Sequence, residues 1–257
     1  RRCSPYGTGA NNLNIFQAVL LGVVQGLTEF LPVSSSGHLV FMSRVLGIPN
    51  SIVFDLIVHL ATTLAVIYYF RKEIWEIVKA FAGAVWEVTL EHKSAHNIYQ
   101  ESASFRIGCL ILLASVPTGF IGLTFRDFFE GLFSSVIAVG MFLVLTGVVM
   151  WLAEYFSSGK RAITGINTLD ALIVGAAQGL AIAPGLSRSG TTIAAGMLRG
   201  ISRSAAAEFS FLLSIPAILG AGLVENREIF QVGVAGGELW PLFWGAIAAF
   251  ISAYFAI

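Results

Sequence analysis

Charge is what this chain has least of. Asp, Glu, Lys and Arg make up 12% of its 257 residues, 15 basic against 15 acidic, for a formal net charge of zero. A soluble domain carries about a quarter charged residues. With 56% hydrophobic residues and a mean hydropathy of +0.81, the composition is that of an integral membrane protein. There is no basic block, which argues against nucleic acid as a partner. Only two cysteines occur, Cys3 and Cys109; they lie far apart, outside any metal or redox spacing, so neither a disulfide framework nor a thiolate site is expected. The first fourteen residues, RRCSPYGTGANNLN, have neither an apolar core nor a cleavage pattern. Residues 1–14 therefore read as a tail rather than a signal peptide, with an origin in expression engineering left open.

Against that oily background, one polar segment is written twice. From Leu21 the chain reads LGVVQGLTEFLPVSSSGH, and from Val174 it reads VGAAQGLAIAPGLSRSGT. With no gap, Gly22, Gln25, Gly26, Leu27, Ser34, Ser36 and Gly37 fall on Gly175, Gln178, Gly179, Leu180, Ser187, Ser189 and Gly190, an offset of 153. Each copy is an apolar helix, a proline and a Ser/Gly-rich turn. Irregular polar backbone inside a membrane must line a cavity or be buried in protein, so paired breaks mark a functional site where two halves meet.

Five segments have about the 20 apolar residues a bilayer needs: 52–70, 107–125, 135–153, 205–224 and 238–257. The motif segments 15–47 and 168–200 are too long for one straight span and too short for two. They read as re-entrant hairpins, with a broken crossing helix as the alternative. Over residues 73–90, Ile74, Trp75, Ile77, Val78, Phe81, Val85 and Trp86 share one helical face, as in an interfacial amphipathic helix. The expected fold class is an all-α polytopic membrane protein with an inverted-topology repeat, residues 15–156 and 168–257. The second half has two spans against three in the first, so a last helix is expected to be missing. Loops 71–106, 157–167 and 199–203 carry Arg71, Lys72, Lys79, Lys93, Arg106, Lys160, Arg161, Arg199 and Arg203; the other side holds Arg44, Arg126 and Arg227 besides the tail. The positive-inside rule makes the richer side cytoplasmic and the N-terminus external.

Gln25 and Glu29, four residues apart, share a helical face and can present an amide and a carboxylate to one ligand. An ionisable residue deep in an apolar helix defaults to a functional role; the bland reading of Glu29 is a structural pair with Arg188. Serines alone would be an ordinary helix break, but Ser34, Ser35 and Ser36 followed by His38 suggest nucleophile and proton-transfer chemistry. In the second turn Arg188 stands where the first has Ser35. An intramembrane arginine needs an anion, and its planar fork suits phosphate oxygens, with Ser187, Ser189, Gly190 and the turn amides around it. Asp55 and Glu208 share the offset of 153, either as partners behind the turns or as residues at interfacial span ends. His59 reads as a hydrogen-bonded packing residue. His92 and His96 have helical spacing but no third metal ligand in view.

QGLTEFLPVSSSGH together with PGLSRSGTT resembles the bacterial undecaprenyl-diphosphate phosphatase family, also called the bacitracin-resistance protein family, from about Asn14 to the C-terminus. The resemblance implies hydrolysis of undecaprenyl diphosphate to the monophosphate and phosphate at the outer face of the bacterial cytoplasmic (inner) membrane, recycling the lipid carrier for cell-wall synthesis. It implies a divalent cation, Mg2+ or Ca2+, a long-chain polyprenyl diphosphate as substrate, and is compatible with a homodimer. The family's (Glu/Gln)-x-x-x-Glu motif falls on Gln25 and Glu29, which makes Glu29 and, with it, Gln25 the metal-binding positions. Its catalytic serine and histidine fall on Ser35 and His38. Its phosphate-binding segment covers Pro184 to Thr192, with Arg188 central and Ser187, Ser189 and Thr192 flanking. Many members of the family it resembles have glutamate where this chain has Gln25, so the motif here supplies one carboxylate, Glu29. Ser35 attacking with Glu29 or His38 as base, direct attack by water, and a phosphohistidine on His38 are the routes open. A secondary transporter or flippase of an anionic or lipid-phosphate substrate is the other class; a carrier has no need of a nucleophile beside an acid–base group. Type 2 phosphatidic acid phosphatases share the Ser-Gly-His and Ser-Arg strings, but they need a second histidine beyond the Ser-Arg, and none follows Arg188.

Overall fold

A computed structural model describes residues 13–48, 51–132, 135–157, 159–232 and 239–257. Most of the expected tail and Glu238 lie outside the described residues. The described chain folds into twelve α-helices: α1 (Ile15–Glu29), α2 (Ser35–Val45), α3 (Ile52–Tyr69), α4 (Arg71–Leu90), α5 (Ala95–Glu101), α6 (Ala103–Thr124), α7 (Arg126–Leu132), α8 (Val136–Phe156), α9 (Thr168–Leu180), α10 (Arg188–Leu198), α11 (Arg203–Val232) and α12 (Leu239–Ala256). Four of them, α6, α8, the first part of α11, and α12, are long and apolar enough to cross a membrane; α3 joined to α4 makes a fifth if that bent pair is one span. On α6 the exposed Leu112, Val116, Phe120 and Leu123 recur at helical spacing, as on a face turned to lipid.

α3 meets α4 at an angle of 76°. Ile77 and Phe81 of α4 pack on the start of α6 at Gly108, while Trp75, Val85 and Trp86 stay exposed; the stretch 73–90 is thus helical, within the longer α4. Ser94 caps α5 and His92 has φ +54°, so the helix breaks between the two histidines. The helical spacing expected of His92 and His96 is therefore not realised, because the Ser94 side chain accepts from the His96 amide and starts a new helix there.

Both motif helices begin in the same way. The Asn14 side chain accepts from the Gln17 amide at 2.8 Å while Gln17 accepts from the Asn14 amide at 3.1 Å. Asn167 and Asp170, again 153 residues on, do the same at 3.0 and 3.1 Å. These reciprocal caps satisfy donors that a helix start leaves open. Asp170 has a further duty: fully buried, it also binds Arg161 Nη1 at 2.7 Å and Arg199 Nε at 2.8 Å.

The two halves exchange their packing. α1 lies along α12, so close that a Cβ on Gly22 would sit 2.2 Å from the Gly245 carbonyl oxygen; α9 lies along α6, where a Cβ on Gly175 would sit 2.0 Å from the Ala114 carbonyl oxygen. Only glycine permits either approach. At one end of the molecule, Arg106 at the start of α6 donates to the Thr164 carbonyl at 2.8 Å, Arg161 donates to the Arg199 carbonyl, and Arg203 at the start of α11 faces Glu154 at the end of α8 at 3.6 Å. The aromatic ends of α3 and α12 meet through Tyr68, Tyr69 and Tyr254. Glu208 lies in the second turn of α11, near its start at Arg203, the position that the interfacial-end reading gives it.

Candidate functional site

The breaks after α1 and α9 face each other. Ser189 of the second turn donates to the Leu31 carbonyl of the first at 3.0 Å, and Thr146 of α8 accepts from the Ser187 amide at 3.0 Å, which fixes the second turn from behind. Within each turn the same pair recurs, Ser34 Oγ to Ser36 Oγ at 3.2 Å and Ser187 Oγ to Ser189 Oγ at 3.2 Å. The turns differ at the helix they open. Ser187 caps α10 by accepting from the Gly190 amide, whereas Ser34, at φ +61° and ψ +95°, makes no side-chain cap on α2. A non-glycine residue there is strained, and such strain concentrates where structure serves chemistry. It leaves the first-turn amides of α2, the positive end of its dipole, free of the cap and available to an anion.

Glu29 is the hub of this site, its side chain 4% exposed. Its Oε1 holds Arg188 Nη2 in an ion pair across the two halves. Its Oε2 accepts from Ser35 Oγ at 2.6 Å and from Gln25 Nε2 at 2.9 Å, and lies 3.5 Å from His59 Nε2. Three buried atoms around it have no hydrogen-bond partner: Gln25 Oε1, Gln178 Oε1 and Arg188 Nη1. Buried polar atoms are normally paired, so these three face something the protein itself does not supply. Gln178 and Arg188 line a cavity of ≈ 250 Å³ together with Glu29, Ser34, Ser35, Ser36 and Ser187.

The structure thus brings most of the expected site together. Gln25 lies behind the cavity wall, bonded to Glu29. Ser189, Gly190 and Thr192 hold the second turn instead of lining the cavity: the Gly190 amide is taken by Ser187 at 3.1 Å, and the buried Thr192 hydroxyl reaches the Arg188 carbonyl at 2.8 Å and pairs with Ser210. His38 turns its Nδ1 to the Ser34 carbonyl at 2.8 Å and is not among the lining residues. Three polar lining residues were not foreseen as site residues: His59, Thr118 and Gln178. His59 is hydrogen-bonded, as expected, through Nδ1 to the Asp55 carbonyl at 2.7 Å, but it is a cavity residue facing Glu29 and not only a packing one. Gln178 donates to Thr118 Oγ1 at 3.3 Å. As the repeat partner of Gln25 it carried a legible signal; His59 carried none, since its position in the second half is Leu212.

An ionisable pair held between two helix breaks, with a hydroxyl bonded to the carboxylate and an unpartnered nitrogen on the arginine, defines a polytopic membrane protein with a charged, hydroxyl-lined cavity between its two turns. A profile of bacitracin resistance protein BacA matches residues 18–257, and the chain belongs to that family. It is 42% identical over 248 residues to the undecaprenyl-diphosphatase of Alkaliphilus metalliredigens, covering 95% of this chain and 88% of that protein. It is 44% identical to the undecaprenyl-diphosphatase of Carboxydothermus hydrogenoformans and 39% to that of Methanobrevibacter smithii, each over 95% of this chain and 87% of the relative.

Proposed function

We propose that the protein is an integral membrane phosphatase that hydrolyses undecaprenyl diphosphate to undecaprenyl phosphate and phosphate, returning a lipid carrier to cell-wall synthesis. The carrying observation is the 2.6 Å hydrogen bond from Ser35 Oγ to Glu29 Oε2, beside an arginine with an unspent donor. Nothing in a transporter site calls for a hydroxyl held on a carboxylate. Arg188 and the α2 amides bind the terminal phosphate oxygens. Ser35 Oγ attacks the terminal phosphorus and gives its proton to Glu29; the bond from that phosphorus to the bridging oxygen breaks, and the lipid monophosphate leaves. Water then attacks the phosphoserine, releasing phosphate and restoring the serine hydroxyl. Charge on the transferring oxygens is held by Arg188 and the turn amides, which need no reorganisation at the moment of reaction. In this scheme Glu29, already bonded to Ser35, is the base, and His38 steadies the first turn through the Ser34 carbonyl.

A divalent cation, Mg2+ or Ca2+, fits the donors here: Glu29 would hold it, aided by the unpartnered Gln25 Oε1, and it would neutralise diphosphate oxygens. The orientation we assign puts the basic end in the cytoplasm of a bacterial cell and opens the cavity to the outer face of the inner membrane. The exchanged packing supports an inverted repeat: α9 starts at the end marked by Arg161 and Arg199, while α1 runs beside α12 towards that end.

The test is phosphate release from purified protein given undecaprenyl diphosphate, with and without chelator, followed by rapid acid quench after labelling the terminal phosphate with 32P. The expected result is cation-dependent release and a transient label on Ser35, both lost in Ser35→Ala. Release that survives Ser35→Ala with no protein-bound label would assign the attack to water.

A further inference from the structure

We propose that His59 is a nitrogen ligand of the divalent cation, which makes the site a mixed oxygen–nitrogen centre that takes Mn2+ in preference to Mg2+. The inference rests on the reading above that a cation binds at Glu29. Its first support is the separation of 3.5 Å between His59 Nε2 and Glu29 Oε2. That is too long for a good charge-assisted hydrogen bond, which falls at about 2.7–2.9 Å. It suits two ligands that share one ion at about 2.0–2.2 Å each.

The second support is how the ring is held. Nδ1 lies 2.7 Å from the Asp55 carbonyl, which can only accept, so Nδ1 carries an N–H and Nε2 is the ring nitrogen turned to Glu29. Metal-ligating histidines are oriented in this way, with the far nitrogen donating to a carbonyl or carboxylate. The helix turn beneath is itself fixed, because Thr62 and Thr63 donate to the His59 carbonyl at 2.9 and 2.8 Å. The third support is Gln25: wholly buried, bonded to the same carboxylate, and with its carbonyl oxygen unpartnered. Beside Glu29 this chain places an amide on α1 and an imidazole on α3, both reaching the same carboxylate oxygen.

Among the described residues no three His, Cys, Asp or Glu side chains converge on one point. Glu29, His59 and the Gln25 amide therefore leave positions that only diphosphate oxygens and water can fill, and cation and diphosphate must strengthen each other's binding. Magnesium prefers oxygen, whereas imidazole raises affinity for first-row transition ions; Mn2+ tolerates both donor types.

The test uses the purified full chain with Mn2+ and methylene diphosphonate, read by pulsed electron paramagnetic resonance. Expected is 14N modulation on the bound Mn2+ that changes to the 15N pattern when histidine is 15N-labelled, disappears in His59→Gln and persists in His38→Gln. The isotope exchange is made in the unaltered chain, so it does not depend on how a variant folds. Bound Mn2+ without nitrogen modulation, modulation that survives His59→Gln, or no Mn2+ bound at all would overturn the proposal. Phosphate release from undecaprenyl diphosphate is measured on the same preparation. Release without a nitrogen signal defeats only the His59 assignment; a nitrogen signal without release defeats only the phosphatase reading.

Discussion

Arg188 donates to Glu29 through one nitrogen and keeps another, Nη1, buried with no partner. A guanidinium that served only to neutralise a carboxylate would have no reason to keep a buried donor idle, since an unmade buried hydrogen bond costs about 1–3 kcal/mol. The idle nitrogen is explained if an anion occupies the cavity during turnover. Lysine keeps the charge but not the planar fork. Hydrogen bonds to charged groups contribute about 1.5–3 kcal/mol, so Arg188→Lys should lower kcat/KM by roughly 10- to 100-fold at near-normal thermal stability. Arg188→Ala should fall further. Steady-state phosphate release by the detergent-purified variants checks this; near-normal turnover in a well-folded Arg188→Lys would leave the arginine as Glu29's structural partner alone. At this scale Glu29, Ser35 and Arg188 were legible because each is a polar exception in a repeated motif. His59 was not, because it sits in a plain apolar helix and its nearness to Glu29 depends on how α3 packs against α1.

Among the helices, the repeat reaches further back than its obvious motif. Asn14 and Gln17 cap α1 as Asn167 and Asp170 cap α9, yet only the second cap is charged and tied to two arginines. Asp170 pins the start of α9 to the loop before it and to the end of α10, and so sets where the second turn lies. The Asp170 hydrogen bond holds the Arg161 guanidinium even more firmly in its charged form than usual. Breaking a buried ion pair by removing one partner costs about 3–5 kcal/mol. Asp170→Asn keeps the cap but leaves two arginines short of their counter-charge, so it should lower Tm clearly. Asn14→Ala, which removes a neutral cap, should cost about 1 kcal/mol. Thermal denaturation in detergent tests the order, and equal losses would refute the idea that Asp170 is more than a cap. The long helices were legible from hydropathy, and the helical α4 from its apolar stripe. The short α5 and α7 were not, since helices of seven residues carry too few turns to show a period.

For the whole molecule, the proposed orientation turns on where the ends of α3, α6, α8, α9, α11 and α12 gather. Arg106 to Thr164, Arg161 to Arg199 and Arg203 to Glu154 tie loops distant in sequence into one basic end. α6 leaves that end and reaches the other at Thr124, and 22 residues of helix span about 33 Å, close to the thickness of a bilayer's hydrocarbon core. Lys93, in the segment between α4 and α5, and Arg126, which opens α7, should therefore lie on opposite sides of the membrane. In a chain with Cys3 and Cys109 replaced, Lys93→Cys should react with an impermeant maleimide only after the cells are opened, and Arg126→Cys in intact cells. Labelling of both from the same side would mean that α6 does not cross, and the exchanged packing of the two halves could not then be an inverted repeat. Labelling from opposite sides with Lys93 outside would keep the repeat and reverse the protein, placing the cavity's opening towards the cytoplasm against the distribution of basic residues.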